Sequence, residues 1–355
     1  MTDFPEPTVP FGTTQTQPSA PSEQPSTPEV FTAREAGAKL TQVLAEINQV
    51  MVGQQRVIER VMVCLLANGH CLLEGPPGLG KTQLLNTLSA TMGGTMSRIQ
   101  FTPDLLPTDI IGTRIWQAHE QAFSVQLGPV FANFVLADEI NRAPAKVQSA
   151  LLEVMAEHQV TIGGETHKLE LPFLVMATQN PLDSEGVHQL PEAQRDRFMM
   201  RVLIDYPASI DEEMEIVRRA SVGHEQVRQV ISINEVRALQ RTAMTIYIDK
   251  AVADYAVRIA MATRQPGAFR LPGLERMIAW GASPRASIAM VQAARALALL
   301  RGRAHVEPQD VYDVAADVLN HRIGRSFDAI ADEVEIDEIL YHVLTTVPAP
   351  TGPGA

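Results

Sequence analysis

One short segment constrains the fold of this chain more than any other part of its 355 residues. Gly75-Pro-Pro-Gly-Leu-Gly-Lys81-Thr82 has the spacing G-x-x-x-x-G-K-[ST], follows an apolar run and precedes a helical pattern. Glycines at these positions let backbone N–H groups point inward, and the following helix N-terminus adds a dipole that favours phosphate oxygens. The segment therefore predicts a strand, a loop that binds nucleotide phosphates, and a helix. The predicted nucleotide-binding residues of the loop are Gly75, Pro76, Pro77, Gly78, Leu79, Gly80, Lys81 and Thr82.

A second segment supplies the acidic groups that such a loop requires. Phe134-Val-Leu-Ala-Asp138-Glu139 is a buried-strand pattern that ends in two carboxylates. Ligands bind at the carboxyl edge of a parallel sheet, so this strand is expected to deliver Asp138 to the phosphate loop. We expect Thr82 and Asp138 to hold Mg²⁺ and Lys81 to neutralise the β- and γ-phosphates. Glu139 is placed to polarise an attacking water as general base, so the predicted chemistry is hydrolysis of ATP.

Short apolar runs alternate with helical patterns before Pro207, which predicts an α/β fold with a parallel five-stranded sheet and helices on both faces. The strands are predicted near 70–74, 97–101, 134–138, 173–178 and 200–205, and the crossover helices near 81–92, 144–156 and 191–197. Beyond Pro207 the pattern is helical near 209–220, 234–246, 250–264, 284–301, 308–319 and 334–345. The predicted domains are an α/β core over 31–206 and an all-helical domain over 207–346.

Both ends of the chain have the composition of disordered tails. Residues 1–30 contain seven of the 24 prolines and no Lys or Arg, so they bury too little apolar surface to offset the entropy of ordering. Order is expected to begin at Thr32, where Thr32-Ala-Arg-Glu35 is a capping-box pattern, and a second helix is predicted over 55–68. Residues 347–355 are rich in Pro and Gly and are predicted to form a second tail.

The charge of the chain predicts no broad attraction to nucleic acid or anionic lipid. Forty-one acidic and 29 basic residues give a formal charge of −12, but residues 1–30 carry −4 and residues 327–345 carry −6. Residues 31–326 are therefore close to neutral, at about −2. A local basic groove is still compatible with this balance, but nucleic acid is not the expected partner.

The sequence predicts neither a disulfide framework nor a membrane span. Cys64 and Cys71 lie inside apolar runs and are predicted to be small core residues. No apolar run approaches the ~18 residues of a membrane span, and the N-terminus lacks a basic segment followed by an apolar one. We therefore expect a cytoplasmic, reducing location.

Further motifs are distributed over roughly residues 40–325. They are Gly128-Pro-Val-Phe131, Leu136-Ala-Asp-Glu-Ile-Asn-Arg142, Gln148-Ser-Ala-Leu-Leu-Glu153, Ala177-Thr-Gln-Asn-Pro181, Leu190-Pro-Glu-Ala-Gln194, Asp196-Arg-Phe198 and Gly281-Ala-Ser-Pro-Arg285. With the phosphate loop, they make the chain resemble an AAA+ ATPase, and more narrowly the MoxR family. The resemblance implies a P-loop AAA+ ATPase domain followed by a helical lid domain, assembled as a homo-oligomeric ring with a hexamer as the family expectation.

The resemblance also implies roles for three residues outside the two nucleotide motifs, and one departure from the family pattern leaves an alternative to one of them. Asn180 resembles sensor 1, an amide that orients the attacking water and reports on the γ-phosphate. Arg197 resembles the arginine finger, which acts on the nucleotide of a neighbouring subunit. Arg195 stays open as a competitor for that role, because an apolar residue is expected at its position. Arg285 resembles sensor 2, which would couple the lid to the γ-phosphate.

Val52-Gly-Gln-Gln55 resembles the segment that packs near adenine between the two domains of this family. Gly53 and Gln54 are therefore predicted to bind the nucleotide. The alternative is that Gly53 only breaks the chain between two helices.

Two predicted hairpins bear on what the protein acts on. The first pairs 112–116 with 122–127, and the second pairs 159–162 with 167–170 across Gly163-Gly164. They resemble the helix-2 insert and the hairpin before sensor 1. Nucleic-acid translocases are expected to carry Lys or Arg on such projections, whereas these hairpins balance Arg114 with Glu120 and Lys168 with Glu165 and Glu170. The balance favours protein remodelling over movement of nucleic acid.

The resemblance therefore implies a chaperone-like ATPase that remodels or matures protein complexes, including by metal insertion. Its implied partners are a protein client and a protein with a von Willebrand factor A domain. One alternative is a DNA-remodelling AAA+ motor, which DNA-stimulated ATPase activity would favour. The other is a nucleotide-gated assembly scaffold, which scarcely hydrolyses ATP.

Overall fold

The structure is a computed structural model of the whole chain and describes residues 30–180, 188–222 and 227–350. Its strands are β1 (Cys71–Glu74), β2 (Met96–Gln100), β3 (Gly112–Gln117), β4 (Ala122–Leu127), β5 (Phe134–Asp138), β6 (Gln159–Ile162), β7 (Glu165–Lys168), β8 (Leu174–Gln179), β9 (Met200–Leu203), β10 (Ile278–Trp280) and β11 (Gly324–Arg325). Its helices are α1 (Ala33–Val50), α2 (Gln55–Leu66), α3 (Lys81–Met92), α4 (Pro107–Ile111), α5 (Ala145–Glu157), α6 (Glu192–Arg195), α7 (Ile210–Val222), α8 (Ile233–Thr245), α9 (Lys250–Arg264), α10 (Pro284–Leu300), α11 (Pro308–Leu319), α12 (Phe327–Ala331) and α13 (Ile336–Thr346).

Five parallel strands form the central sheet, in the order β2-β5-β8-β1-β9. The predicted α/β class, the number of strands and their direction are confirmed. The strand that leads into the phosphate loop, β1, lies between β8 and β9, and β5 lies between β2 and β8. Because these strands run in one direction, their carboxyl ends meet at a single edge of the sheet.

The two faces of the sheet pack against different layers. Leu73 and Leu136 face a hydrophobic cluster that includes α1, α2 and α3. Leu72 and Val135, one residue away along each strand, face a second cluster built on α5. This alternation follows from the pleat of a strand, and it buries the sheet on both faces as predicted.

Helix α10 is the centre of the helical part of the chain. Its many alanines make it narrow, and it contacts α8, α9 and α11 as well as α1 and α2. A Cβ atom on Gly37 of α1 would lie only 2.6 Å from the Cα atom of Gly302, so these two backbones touch. One hydrophobic cluster runs from the sheet through α1 and α2 into the lid helices. The domain boundary near 206–210 stays a prediction, because the two parts share this cluster.

Three details of the predicted secondary structure are wrong. The lid is not purely helical, because β10 and β11 form an antiparallel pair that is too short to show a sequence period. The helix expected over 191–197 is the single turn α6, since the chain bends at Asp196 towards β9. In the second hairpin β7 begins at Glu165 rather than at 167, because Gly163 and Gly164, both at positive φ, make a two-residue turn.

The predicted helix start at Thr32 is confirmed, because the Thr32 hydroxyl accepts the N–H of Glu35 and the Glu35 carboxylate accepts the N–H of Thr32. The predicted tails fall mainly on residues 1–29 and 351–355, which lie outside the described residues. Val347 is an exception: it was expected in a tail but is buried in the hydrophobic cluster beyond α13. Cys64 and Cys71 are both buried, as expected for core residues.

The helices of the described part of the chain include none that combines the length and the apolar character needed to cross a membrane.

Candidate active site

The phosphate loop connects β1 to α3 at the carboxyl edge of the sheet. Gly78 and Gly80 have φ values of 85° and 75°, a conformation that L-residues with side chains rarely adopt. A Cβ atom on Gly75 would lie 2.4 Å from the Ile204 carbonyl oxygen, so no side chain fits there. The Lys81 ammonium donates to the Gly75 carbonyl at 2.7 Å and thus lies across the loop. Burial lowers its pKa, while the negative charges of Asp138 and Glu139 oppose this shift.

The acidic pair at the end of β5 is held by Thr178 of β8. The Thr178 hydroxyl donates to Asp138 Oδ1 at 2.6 Å and accepts the backbone N–H of Glu139 at 2.9 Å. Glu139 has a φ of 56°, so the chain bends sharply directly after the strand. One buried hydroxyl thus fixes both the side chain of Asp138 and the backbone that carries Glu139.

Strand β2 contributes two further polar groups to this edge. Gln100 donates its amide to Glu139 Oε2 at 2.8 Å, and Arg98 pairs with Asp138 Oδ2 at 2.6 Å. Arg98, Gln100 and Thr178 are not among the site residues that the motifs predict. The sequence does contain a pattern that includes Arg98 and Gln100, because these two polar residues alternate with the buried Ile99 on β2. Strand β2 pairs with β5, and Gln100 lies opposite Asp138. The pattern points to the site only when the order of the strands is known, and the structure alone provides that order.

A cavity of about 400 Å³ brings the predicted catalytic groups together. Its walls contain the loop residues Gly75, Pro77, Gly78, Leu79 and Gly80 together with Lys81, Thr82, Asp138, Glu139 and Asn180. Arg98, Gln100 and Thr178 line the same space. The polar groups of four different elements therefore converge on one volume that borders the phosphate loop.

A second cavity, of about 250 Å³, shares Gly78, Leu79 and Gly80 with the first and is mostly apolar. Gln54 lines it, and its side chain also donates to the Asp205 carbonyl at 2.8 Å. Gly53 is placed differently: it has a φ of 65°, and a Cβ atom there would lie 3.0 Å from the Glu212 carboxylate. The segment between α1 and α2 thus packs beside the phosphate loop, with Gln54 in the cavity wall and Gly53 behind it.

Helix α7 closes the outer side of this second cavity through Ile216 and Ala220. Arg219 fixes the helix there, because its guanidinium donates to the carbonyls of Asn48 at 3.0 Å and Gln49 at 2.5 Å, near the end of α1. An apolar slot that is continuous with a phosphate cavity has the shape and character required by a nucleoside base. The helix predicted near 209–220 is confirmed as α7, but its contact with the end of α1 is not apparent from the sequence pattern.

The two arginines assigned by resemblance, Arg197 and Arg285, lie away from both cavities. Arg197 is exposed just beyond α6, with its guanidinium donating to the Leu152 carbonyl at 2.9 Å. Arg285 is mostly exposed and lies 3.5 Å from Asp196, so it is beside Arg197 rather than beside the phosphate loop. Neither lines the two cavities described above. The expectation that Arg285 reaches the γ-phosphate has no support within one chain, because the start of α10 packs against the Asp196 turn.

Arg195 differs from Arg197 in its surroundings. It is half-buried, and burial together with the positive charge of Arg201 lowers its pKa, while Glu192 and Glu74 oppose the shift. Arg201 and Glu74 form an ion pair with each other, in which the guanidinium donates to both carboxylate oxygens, at 2.7 and 2.8 Å. Arg195 is therefore partly covered by its own chain, whereas Arg197 is exposed.

The donor set of the cavity fits Mg²⁺. Thr82 supplies a hydroxyl oxygen and Asp138 a carboxylate oxygen, and these hard ligands line the same space as the phosphate loop. At Gly78 a Cβ atom would meet nothing within 4 Å, so the loop backbone is open on the side of this residue, as a phosphate cradle requires.

Comparison with known proteins agrees with this geometry. The sequence profile of the ATPase family associated with various cellular activities (AAA) matches residues 70–200, and that of the AAA lid domain matches residues 274–342. The chain is 51% identical to "Chaperone MoxR1" of Mycobacterium tuberculosis over 311 residues, which are 88% of this chain and 82% of that protein. The chain belongs to the MoxR family of AAA ATPases. It is also 33% identical to "Protein MoxR" of Paracoccus denitrificans, over 81% of this chain and 88% of that one.

A solved structure supports the same assignment. A protein of Cytophaga hutchinsonii that is assigned as an ATPase superposes with a TM-score of 0.85 at 44% identity, over 90% of this chain and 97% of that one. The P-loop AAA+ fold with a helical lid is thereby confirmed for this MoxR-family chain. The protein is an ATPase, and the expected nucleotide binding follows from the family.

The bridging hydroxyl of Thr178 generates a test of the site. Thr178→Val keeps the side-chain shape but removes both hydrogen bonds, so Asp138 and the Glu139 backbone lose their common anchor. We expect kcat to fall about 10- to 100-fold, because small displacements of catalytic groups have effects of this size. Phosphate release measures turnover, and a fluorescent ATP analogue measures binding, which should change little. Thr178→Ser keeps the hydroxyl and should retain most activity; equal losses in both variants would contradict the bridging role.

Proposed function

We propose that this MoxR-family ATPase works as a ring of identical subunits, with six as the family expectation, and that it remodels or matures protein complexes as a chaperone. The observation that carries the proposal is the convergence of Lys81, Asp138, Glu139 and Asn180 on the cavity beside the phosphate loop. A nucleotide-gated scaffold has no need of a complete set of hydrolytic groups. The hypothesis of a scaffold is therefore less well supported than the hypothesis of an enzyme that hydrolyses ATP.

Each group has a distinct role in the proposed reaction. Lys81 neutralises charge on the β- and γ-phosphates, and Asn180 orients the attacking water. Glu139 accepts a proton from that water as the water oxygen attacks the γ-phosphorus and the bond from the γ-phosphorus to the β–γ bridging oxygen breaks, so that ADP and phosphate leave. Thr82 and Asp138 would hold Mg²⁺, which when bound neutralises charge on the phosphate oxygens. Gln100 holds the Glu139 carboxylate in place through its amide hydrogen bond.

Two substitutions separate binding from hydrolysis. Lys81→Ala should lose nucleotide binding, because it removes the positive charge that faces the phosphates. Glu139→Gln should bind ATP normally but lose about 10²–10⁴ in rate, the usual contribution of a positioned base. Equilibrium binding and phosphate release measure the two effects, with Glu338→Gln, at an exposed position of α13, as the control. Near-normal turnover by Glu139→Gln would show that Glu139 is not the general base.

The arginine finger is proposed to act between subunits. Arg197 is exposed and lies outside the cavity of its own chain, as a group that serves a neighbour's nucleotide must. Arg285 lies beside the same turn through Asp196, so we propose that it faces the same neighbour. Arg195 is the weaker candidate, because it is half-buried in its own chain whereas Arg197 is exposed. Head-to-tail contacts of this kind form a ring when the rotation between neighbouring subunits closes, and the proposed assembly is such a ring.

Mixed assemblies test the finger. Lys81→Ala subunits lack nucleotide binding but carry Arg197, whereas Arg197→Ala subunits bind nucleotide but lack the finger for their neighbour. Mixing the two inactive variants should restore part of the activity, because some intact phosphate loops then face an intact Arg197. A finger contributes about 10³–10⁵ in rate, so even a minority of repaired interfaces is measurable. The same experiment with Arg195→Ala compares the two candidates.

Native mass spectrometry must show that the assemblies contain both subunits. If such assemblies stay as inactive as either parent, Arg197 does not act between subunits. If only the Arg195→Ala mixture recovers activity, the finger is Arg195.

The proposed client is a protein, and the proposed partner carries a von Willebrand factor A domain, with metal insertion into the client as one possible outcome of maturation. The relative from Mycobacterium tuberculosis bears the name of a chaperone. The β3–β4 hairpin exposes Trp116 and Phe123, whose rings pack edge to face at 5.1 Å. Arg114 lies over Phe123 and donates to the Gly163 carbonyl at 3.3 Å, so this cation is engaged within the two hairpins. These features suit a protein client better than a phosphate backbone.

A trap experiment tests the class of client. Glu139→Gln subunits incubated with ATP should retain a client, and Lys81→Ala subunits under the same conditions should not. Mass spectrometry of the captured material, before and after nuclease treatment, identifies proteins that depend on nucleotide binding. Material that disappears on nuclease treatment, together with ATPase activity stimulated by DNA, would favour the DNA-remodelling motor instead.

A further inference from the structure

Arg322 donates five hydrogen bonds and has no role in the proposed catalytic cycle. It follows α11 in the lid, and its side chain is only 3% exposed. Its guanidinium donates to Asp196 Oδ1 at 2.7 Å, to the Phe198 carbonyl at 2.6 Å and to the Met199 carbonyl at 3.0 Å. It also donates to the Asp196 carbonyl at 3.2 Å and to the carbonyl of Val318, near the end of α11.

Four of these five acceptors belong to residues 196–199, the turn that carries Arg197. The two residues before Arg322 bind the same stretch of chain. The His321 ring lies 3.1 Å from the Phe198 carbonyl, and Asn320 donates its amide to the Arg201 carbonyl at 2.9 Å. Three consecutive lid residues thus hold the backbone on both sides of Arg197.

The carboxylate of Asp196 is the point at which the lid and the turn that carries Arg197 are joined. Asp196 accepts from Arg322 on one side, while Arg285 lies 3.5 Å from its other oxygen and the Ser283 hydroxyl lies 3.2 Å from that oxygen. Asp196 therefore joins the end of α11, the start of α10 and the Arg197 turn. A planar guanidinium that spans a carboxylate and several carbonyls holds such a turn in one orientation, which a lysine ammonium cannot do.

Burial of this cluster makes it rigid. Burial lowers the pKa of Arg322, and the Asp196 carboxylate opposes the shift. Burial and the neighbouring charge of Arg322 also hold the pKa of His321 well below its usual range, so the ring is neutral at physiological pH. Buried polar groups with satisfied hydrogen bonds resist displacement, because any movement leaves a donor or acceptor unpaired.

We propose that Arg322 is a positioning residue for Arg197, and that through it the lid of one subunit controls ATP hydrolysis in the next. The inference rests on the proposed role of Arg197 as a finger acting between subunits. Movement of the end of α11 displaces the Asp196 turn, and with it the guanidinium offered to the neighbour. The phosphate loop of the same chain is not touched by Arg322, so its own nucleotide binding is unaffected.

Arg322→Gln tests this in the full-length protein. Its uniform assemblies should show kcat lowered about 10- to 100-fold, with KM for ATP unchanged, because a displaced finger slows chemistry in the neighbour without altering binding. Mixing with Lys81→Ala subunits, which carry an intact Arg197 turn, should raise turnover per Arg322→Gln subunit about fivefold or more. Arg322→Lys keeps the positive charge but not the planar guanidinium. It should lower kcat less than Arg322→Gln does, and mixing with Lys81→Ala subunits should restore its turnover in the same way. This variant replaces Arg322→Gln in the test if Arg322→Gln fails to fold.

Arg60→Gln is the matched control. Arg60 is a buried arginine that also joins the lid to the core, through Asp317 of α11 at 2.8 Å, but it does not touch residues 196–199. Its loss should lower the melting temperature, and mixing with Lys81→Ala subunits should give no recovery per folded subunit. Recovery in this control would show that mixing repairs general instability, which would overturn the inference.

The Arg197→Ala mixture, run in parallel, separates the two proposals. If mixing restores the activity of Arg197→Ala but of neither Arg322 variant, Arg322 is not a positioning residue, although Arg197 is still the finger. If mixing does not restore the activity of Arg197→Ala, Arg197 is not the finger and the role inferred for Arg322 is wrong as well. A double variant adds a last check: Arg322→Gln should cost little further activity in an Arg197→Ala background, and a full multiplicative loss would contradict action through Arg197.

Discussion

Strands β1, β5 and β8 run parallel in a register that pairs Glu74 with Gln179 and Ala137 with Ala177. This register places the phosphate loop, the acidic pair and Asn180 at one edge, although at least 40 residues separate each from the next. Because successive side chains point to opposite faces, a slip of one residue would turn Asp138 away from Thr178. The two hydrophobic layers enforce the register, since the same slip would exchange the residues of the two faces.

The lid is joined to the sheet by a shared hydrophobic cluster and by buried ion pairs. A single hydrophobic cluster continues from the sheet into α10, and buried ion pairs cross the same boundary. Arg60 pairs with Asp317, and Arg322 pairs with Asp196. Buried ion pairs contribute little net stability because their desolvation is costly, but they define a particular geometry. In this ATPase they define where the lid meets the core and how the Arg197 turn is held.

Much of the fold follows from local patterns. Lys250–Arg264 and Pro308–Leu319 are helices with the bounds that their apolar periods predict. The five core strands follow from apolar runs between helical segments, because a strand buried on both faces needs apolar residues throughout. The β10–β11 pair and the early start of β7 could not be predicted in the same way. Their positions depend on partners distant in sequence or on the geometry of a two-residue turn.

The sequence by itself determined the family of this ATPase and the chemistry that we propose for it, because the phosphate loop and the Asp138-Glu139 pair are recognised by residue type and spacing. The tertiary structure alone decided which other groups serve them. Thr178 and Gln100 reach Glu139 only because β8 and β2 flank β5. Arg285 and Arg322 meet at Asp196 because α10 and the end of α11 pack against that turn. Motifs record chemistry that a few consecutive residues perform, whereas contacts between distant segments arise only when burial of the apolar faces brings those segments together.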